Sequence, residues 1–304
     1  LPGWQVIRPP NEVSALAFQG DVVWAGGKDG VSAIDRQRGE VISTLACDRP
    51  LAYVQALLVD RSNVLWIGHP EGLSRFDGAQ CITYRQANGL PDDRVNALAE
   101  DRDGRLWAGT WGGAAVYDGK SWQVLTAEDG LADDMVNVIY PDSQGNLWFG
   151  SYVAPRGGLA VCRAGRCQVF STGNGLPHNN IAAIVEDQDG SIWAGGGLLD
   201  RGGAVRLEQT GAEWAIQQVL TKEDGLAGEK VRSIFQDRLG RVWFGSEYDG
   251  LACLSGGRWH IYTEEDGLSN PEVKVLLQDQ QGDLWIGTRD GITRVRSEYL
   301  SQLP

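Results

Sequence analysis

Apolar residues along the chain fall in short runs of four to seven, many of them β-branched, broken by Gly, Asp or Asn every 8–12 residues. No run holds the 3.6-residue period of an amphipathic helix, so strands joined by tight turns are the predicted elements. Runs such as VNVIY (136–140) and VKVLL (273–277) carry apolar side chains on both parities. A sheet wet on one face would alternate, so these strands are expected to be covered on both faces.

The runs belong to a repeat. A Trp-x-Gly element recurs at Trp24, Trp66, Trp107, Trp148, Trp193, Trp243 and Trp285, spaced 42, 41, 41, 45, 50 and 42 residues apart. Counting from Trp285 through the two ends to Trp24 adds 43, so the period closes on itself. Seven units of this length predict one domain over residues 1–304: an all-β, seven-bladed β-propeller with four antiparallel strands per blade.

The third unit shows the plan. VNALAED (95–101) is strand a, RLWAG (105–109) strand b, GAAVYD (113–118) strand c and SWQVLT (121–126) strand d. An Asp-x-x-Gly turn follows strand a at Asp101, Asp142, Asp187, Asp237 and Asp279, and Asp60 has Asn63 at the Gly position. Such a carboxylate bonds turn amides while Gly or Asn takes a left-handed backbone. The last unit lacks the strand d Trp that Trp122 and Trp259 supply, whereas the N-terminus reads LPGWQVI. Residues 3–8 are therefore expected to close the last blade, the alternative being EYLSQL (298–303).

The unit NGLPDDRVNALAEDRDGRLWAGTWGGAAVYD (88–118) resembles the two-component regulator propeller repeat, with its Gly-Leu-Pro lead-in, Asp-x-x-Gly turn and Leu-Trp-x-Gly strand. The lead-in recurs at 174–177 and, as DGLA or DGLS, at 129–132, 224–227 and 266–269, while RPPNEV (8–13) and DRPLAYV (48–54) depart from it. The resemblance implies a sensor propeller like the extracytoplasmic region of bacterial hybrid histidine kinases, hence a periplasmic or extracellular place and a non-catalytic role.

Composition narrows the partners. The chain has 304 residues, a formal net charge of −13, and 27 basic residues, so nucleic acid and anionic lipid are poor partners, and no apolar run would insert in a bilayer. It begins with Leu1, which points to a processed or excised upstream segment. Of five Cys, Cys162 and Cys167 would face each other if VCRAGRCQV is a hairpin, and either a disulfide or two buried thiols is open.

Candidate chemistry gathers on the end carrying the b–c and d–a loops. From the Trp-x-Gly glycine to the next strand's Gly is four residues in units one, two, three and seven but eight in units four (SYVAPRGG) and five (GGLLDRGG). Varied loops on a uniform scaffold are where binding resides. Trp111, Tyr152, Arg156, Arg201, Tyr248, Arg289, His69 and His178 are the candidate ligand-binding residues, with Leu198, Leu199 and Glu247 beside them and Asn179 and Asn180 joining with His178 from a d–a loop. Aromatic planes beside Arg suit a small molecule, a glycan or a peptide carboxylate. A protein-interaction platform is the second reading. A propeller lyase is the third, although His69, His178 and His260 lie on separate units and offer no base beside a metal. The Asp101 and Asp187 turns lack the twelfth-position Glu of a calcium loop, so no cofactor or metal is expected.

Overall fold

The structure, a computed structural model, describes residues 1–47, 49–152 and 155–303. Its strands form seven four-stranded antiparallel sheets. The strands nearest the axis are Val13–Gln19, Ala56–Val59, Val95–Glu100, Val136–Pro141, Ile181–Glu186, Val231–Gln236 and Val273–Gln278. Each packs against its counterpart in the next blade, and the seventh packs against the first, so the ring is closed. The blades are numbered 1 to 7 in the order of these inner strands, which are strands a.

One polar device repeats at the end of the blades opposite the loops described above. In blades 2 to 7 the turn carboxylate after strand a accepts bonds from turn amides through one oxygen. Its other oxygen accepts the indole N–H of the strand b Trp six residues on, at 2.7 Å for Asp60–Trp66 and 3.0 Å for Asp142–Trp148. Blade 1 has no such Asp and uses Gln19 Oε1 on Trp24 at 2.8 Å. Gly104 and its equivalents take positive φ, and so does Asn63 at 61°. A buried Trp needs a partner for its one N–H, and the turn that reverses the chain supplies it. Burial alone would raise the Asp101 carboxyl, but the Trp107 indole and the Arg105 amide and guanidinium outweigh it and hold the carboxyl below its ordinary value.

The glycine of Trp-x-Gly has a separate reason. A Cβ on Gly109 would stand 2.8 Å from Cγ1 of Val136, the residue that opens the next inner strand, and one on Gly150 would stand 2.7 Å from Ile181. Blades 2 to 7 therefore receive the next blade's first inner-strand residue against a bare backbone, and blade 1 receives Val54, just before the inner strand of blade 2.

Closure follows the sequence expectation. Trp4–Ile7 pairs antiparallel with Gly291–Val295, with Trp4 opposite Val295, and completes blade 7. The EYLSQL segment instead begins in the short helix Ser297–Leu300, whose Leu300 is buried in the core cluster shared by blades 6 and 7.

Both disulfides tie outer strands. Cys162 and Cys167 pair across the blade 4 hairpin. The second, Cys47–Cys81, joins the blade 1 to blade 2 connection to strand d of blade 2. Cys81 occupies the register that Trp122, Cys167, Trp259 and Trp4 hold in blades 3, 4, 6 and 7, opposite the strand c residue that directly follows the partner of the strand b Trp. In those blades that side chain lies against the Gly of the Gly-Leu lead-in, as Trp122 does against Gly89 and Trp4 against Gly267. The lead-in of blade 2 has no Gly-Leu, and there a covalent link joins outer strand to connection. Cys253 stays a buried thiol, pushed up to about 12 by burial.

Candidate functional site

The channel mouth is built from one irregularity repeated around the ring. In six blades the register between strands a and b slips one residue into strand a: between Val13 and Ala15, Val95 and Ala97, Val136 and Val138, Ile181 and Ala183, Val231 and Ser233, and Val273 and Val275. A bulge frees one residue from the ladder and re-aims its side chain. The freed residues are Ser14, Asn96, Asn137, Ala182, Arg232 and Lys274, and all six line a cavity of about 420 Å³ on the axis. Gln55 supplies the blade 2 position. The residues before them are uniformly Val or Ile and are buried, while the seven channel positions hold six residue types, with Asn in both blades 3 and 4.

The mouth has two unlike sides. On blades 3 and 4, Trp111 and Tyr152 stack with centroids 6.0 Å apart and planes 20° apart, and the Arg94 guanidinium sits 4.2 Å from the Trp111 ring centre. Beneath them, Asn137 Nδ2 donates to Ile181 O at 2.8 Å. On blades 6 and 7 are Lys230, Arg232 and Lys274. Glu247 pairs with Lys230 and, at 3.4 Å, with Arg232, and Glu272 pairs with Lys274 at 3.3 Å. Neither carboxylate lines the cavity. Asn180 lines it between the two sides; its Nδ2 donates to Gly197 O at 3.1 Å, and its Oδ1 is buried without a partner.

Of the eight residues singled out from sequence, Trp111 and Tyr152 line this cavity and the other six stand away from it. Arg156 is exposed, 3.5 Å from Asp133. Arg201 is exposed at a hairpin tip, and Tyr248 is exposed with Glu247 raising its phenol above the ordinary value. Arg289 is exposed, with its backbone bonded to Glu272 and Glu12. His69 is buried; its Nε2 lies 2.9 Å from Ser74 Oγ and its Nδ1 accepts the Glu71 amide. Burial, with a smaller push from Arg85, lowers its imidazole to about 4. His178 accepts the Asn180 amide on Nδ1 and is lowered by burial and by Arg201 and Lys230.

The GGGLLDRGG segment is not a loop over the channel. Strand b of blade 5 runs on through Leu198 and strand c begins at Arg201, leaving Leu199 and Asp200 as the turn. The glycines permit this: Gly196 pairs with Gly203 and Gly197 with Gly202, and a Cβ on Gly202 would fall 2.5 Å from Glu229 O. In blade 4, Val153 and Ala154 lie outside the described residues. Arg94, Lys230 and the channel-facing residues of the bulges were missed. Their signal is the residue after the first Val or Ile of each strand a, which plain alternation assigns to the sheet face.

The fold and this mouth define a seven-bladed propeller with an axial pocket. The two-component regulator propeller model matches residues 89–112, 130–153, 175–197, 225–248 and 267–290, so blades 3 to 7 carry repeats of that family. Blades 1 and 2, whose lead-ins depart from the pattern, lie outside the matched segments.

No curated protein sequence matches the chain. Among solved structures, the extracellular domain of a putative hybrid two-component system from B. thetaiotaomicron is similar at TM-score 0.83 and 18% identity, covering 100% of this chain and 42% of that one. PorZ, a surface component of the type-IX secretion system of Porphyromonas gingivalis, is similar at TM-score 0.68 and 17% identity, over 95% of this chain and 47% of that one. This chain thus spans less than half of either. A catalytically inactive virginiamycin B lyase from Staphylococcus aureus with quinupristin is similar at TM-score 0.73 and 15% identity, over 96% and 98%. At these identities the likeness is one of fold.

Proposed function

We propose that the chain is the ligand-binding part of an extracytoplasmic sensor, taking a small molecule, glycan or peptide in the axial mouth. The observation that carries this reading is the ring of bulge residues. Seven blades repeat one scaffold, and at the single position turned into the channel the residue changes from Ser to Gln, Asn, Asn, Ala, Arg and Lys. A channel that served packing alone would repeat its filling as the Trp and Asp positions do. The five family repeats and the two disulfides, which persist in oxidising compartments, support a sensor outside the cytoplasm.

The lyase reading is weaker. The lyase neighbour's inactive form is described as a His-to-Ala variant. Here His69 is buried on Ser74, His178 stands off the mouth and His260 lies on the outer strand Arg258–Tyr262. None faces a substrate seated in the cavity, as a general base must.

A thermal-shift screen of sugars, oligosaccharides and peptides tests the reading. A ligand at about 100 times its Kd stabilises by about 2.7 kcal/mol, a shift of a few degrees in a domain this size. The Trp111→Ala/Asn137→Leu double variant is expected to lose that shift. A hit whose shift survives in the double variant places binding elsewhere.

A further inference from the structure

We infer that the axial mouth takes a ring-shaped organic anion, its carboxylate held on blades 6 and 7 and its ring face against Trp111. This rests on the mouth being the ligand site and adds the class of ligand.

Charge is the first observation. The chain carries 40 acidic residues against 27 basic ones, yet the cavity is lined by four cations, Arg94, Lys230, Arg232 and Lys274, and by no carboxylate. Glu247 and Glu272 stand behind the cations and pair with three of them. Two carboxylates against four cations leave a surplus of two positive charges. The side chains of Lys230 and Lys274 are each 11% exposed, so they are held in place and their fields are little screened. An anion entering the mouth meets oriented donors whose immobilisation has already been met by folding.

Shape and polarity set the rest. Across the mouth the half-buried Trp111 and the exposed Tyr152 stack in near-parallel planes, an arrangement that offers a flat apolar surface to a ring. Arg94 covers part of Trp111 at 4.2 Å and has no carboxylate partner among the described residues, so its guanidinium is a further donor at the mouth. Asn137 and Asn96 supply amides, and Asn180, a residue 3% exposed, leaves its Oδ1 without a partner at the cavity wall. A cavity of about 420 Å³ accommodates a ligand of one or two rings. A pyranose carboxylate and an aromatic carboxylate share this chemistry.

The test is calorimetric titration at low salt with glucuronate and phenylacetate, set against glucose and phenylacetamide as their neutral counterparts. At least one carboxylate is expected to bind about tenfold or more tighter than its counterpart, the usual strength of one charge-assisted contact. Lys274→Met is expected to erase that preference, and raising salt to weaken it. Trp111→Ala should weaken the carboxylate while leaving the melting temperature near wild type. Binding of the neutral counterparts as tightly as the carboxylates, or failure of both carboxylates to bind at millimolar concentration, overturns the inference while leaving the mouth as a site for a neutral ligand. Carboxylate binding indifferent to both Trp111→Ala and Lys274→Met would instead remove the mouth itself.

Discussion

The two ends of the propeller are made from the same repeat and treat polar residues in opposite ways. At the a–b end, six blades use one Asp, one Gly or Asn and one Trp N–H in the same arrangement, each Asp bonded to turn amides and the indole and, in blades 3 to 6, to a neighbouring Arg or Asn side chain as well. At the channel mouth the seven positions that line the cavity, Gln55 and the six bulge residues, hold six residue types. Uniformity at one end and diversity at the other separate the residues that hold the blades from those available to a ligand.

The sharpest break in that comparison is between two tryptophans. Trp148 is fully buried on strand b, bonded to Asp142 and packed edge-on against Trp214. Trp148→Ala is expected to cost about 3–5 kcal/mol in chemical denaturation, through lost packing and the cavity left behind. Trp111→Ala, on a half-buried turn residue, is expected to cost about 1 kcal/mol or less. Equal losses would mean that the mouth is structural.

Blade 2 sharpens it further, because its outer strand is tied covalently where others use a Gly-Leu lead-in. Replacing Cys47 and Cys81 together by Ser opens a link of 34 residues and is expected to lower stability by about 2–4 kcal/mol. The Cys162–Cys167 link closes only 5 residues, and its removal should cost distinctly less. Melting curves of the two double variants, side by side, give the ordering.

A smaller effect comes from His69, which the blade 2 hairpin buries neutral. Its folded value of about 4 lies below the ordinary 6.5, so the unfolded chain binds the extra proton between those values. Its contribution is full above about pH 6.5, falls as pH drops towards 4 and is gone below, amounting to at most about 3 kcal/mol. His69→Gln should flatten the stability profile in that window and leave the steeper acid loss below it, where Asp101 and other carboxylates protonate.

Much of this architecture is legible in the chain because it is repeated. The Trp spacing gives seven blades, and WQVI at residues 4–7 matches the outer strand at 122–125 closely enough to predict the closure. The Asp turn is visible too, but its bond to Trp is not, since the six-residue offset has meaning only once the strand reverses. Cys47–Cys81 is hidden because the two residues are distant in sequence and meet only through the register of an outer strand. The mouth is hidden for a subtler reason. In a regular strand Asn137 and Ile139 share a face; the bulge sends Asn137 to the channel while Ile139 remains in the core. Loop length, by contrast, misleads at blade 5, where glycines let extra residues continue the ladder as a hairpin.

The division between the two ends is tested most directly by a crystal structure of the propeller with any ligand that the thermal-shift screen returns. The account predicts that ligand in the axial mouth, within hydrogen-bonding distance of Asn137, Asn180 or Lys274 and in contact with Trp111. A ligand seated at the Arg201 hairpin tip, on the outer strands or over the Asp-x-x-Gly turns would contradict it.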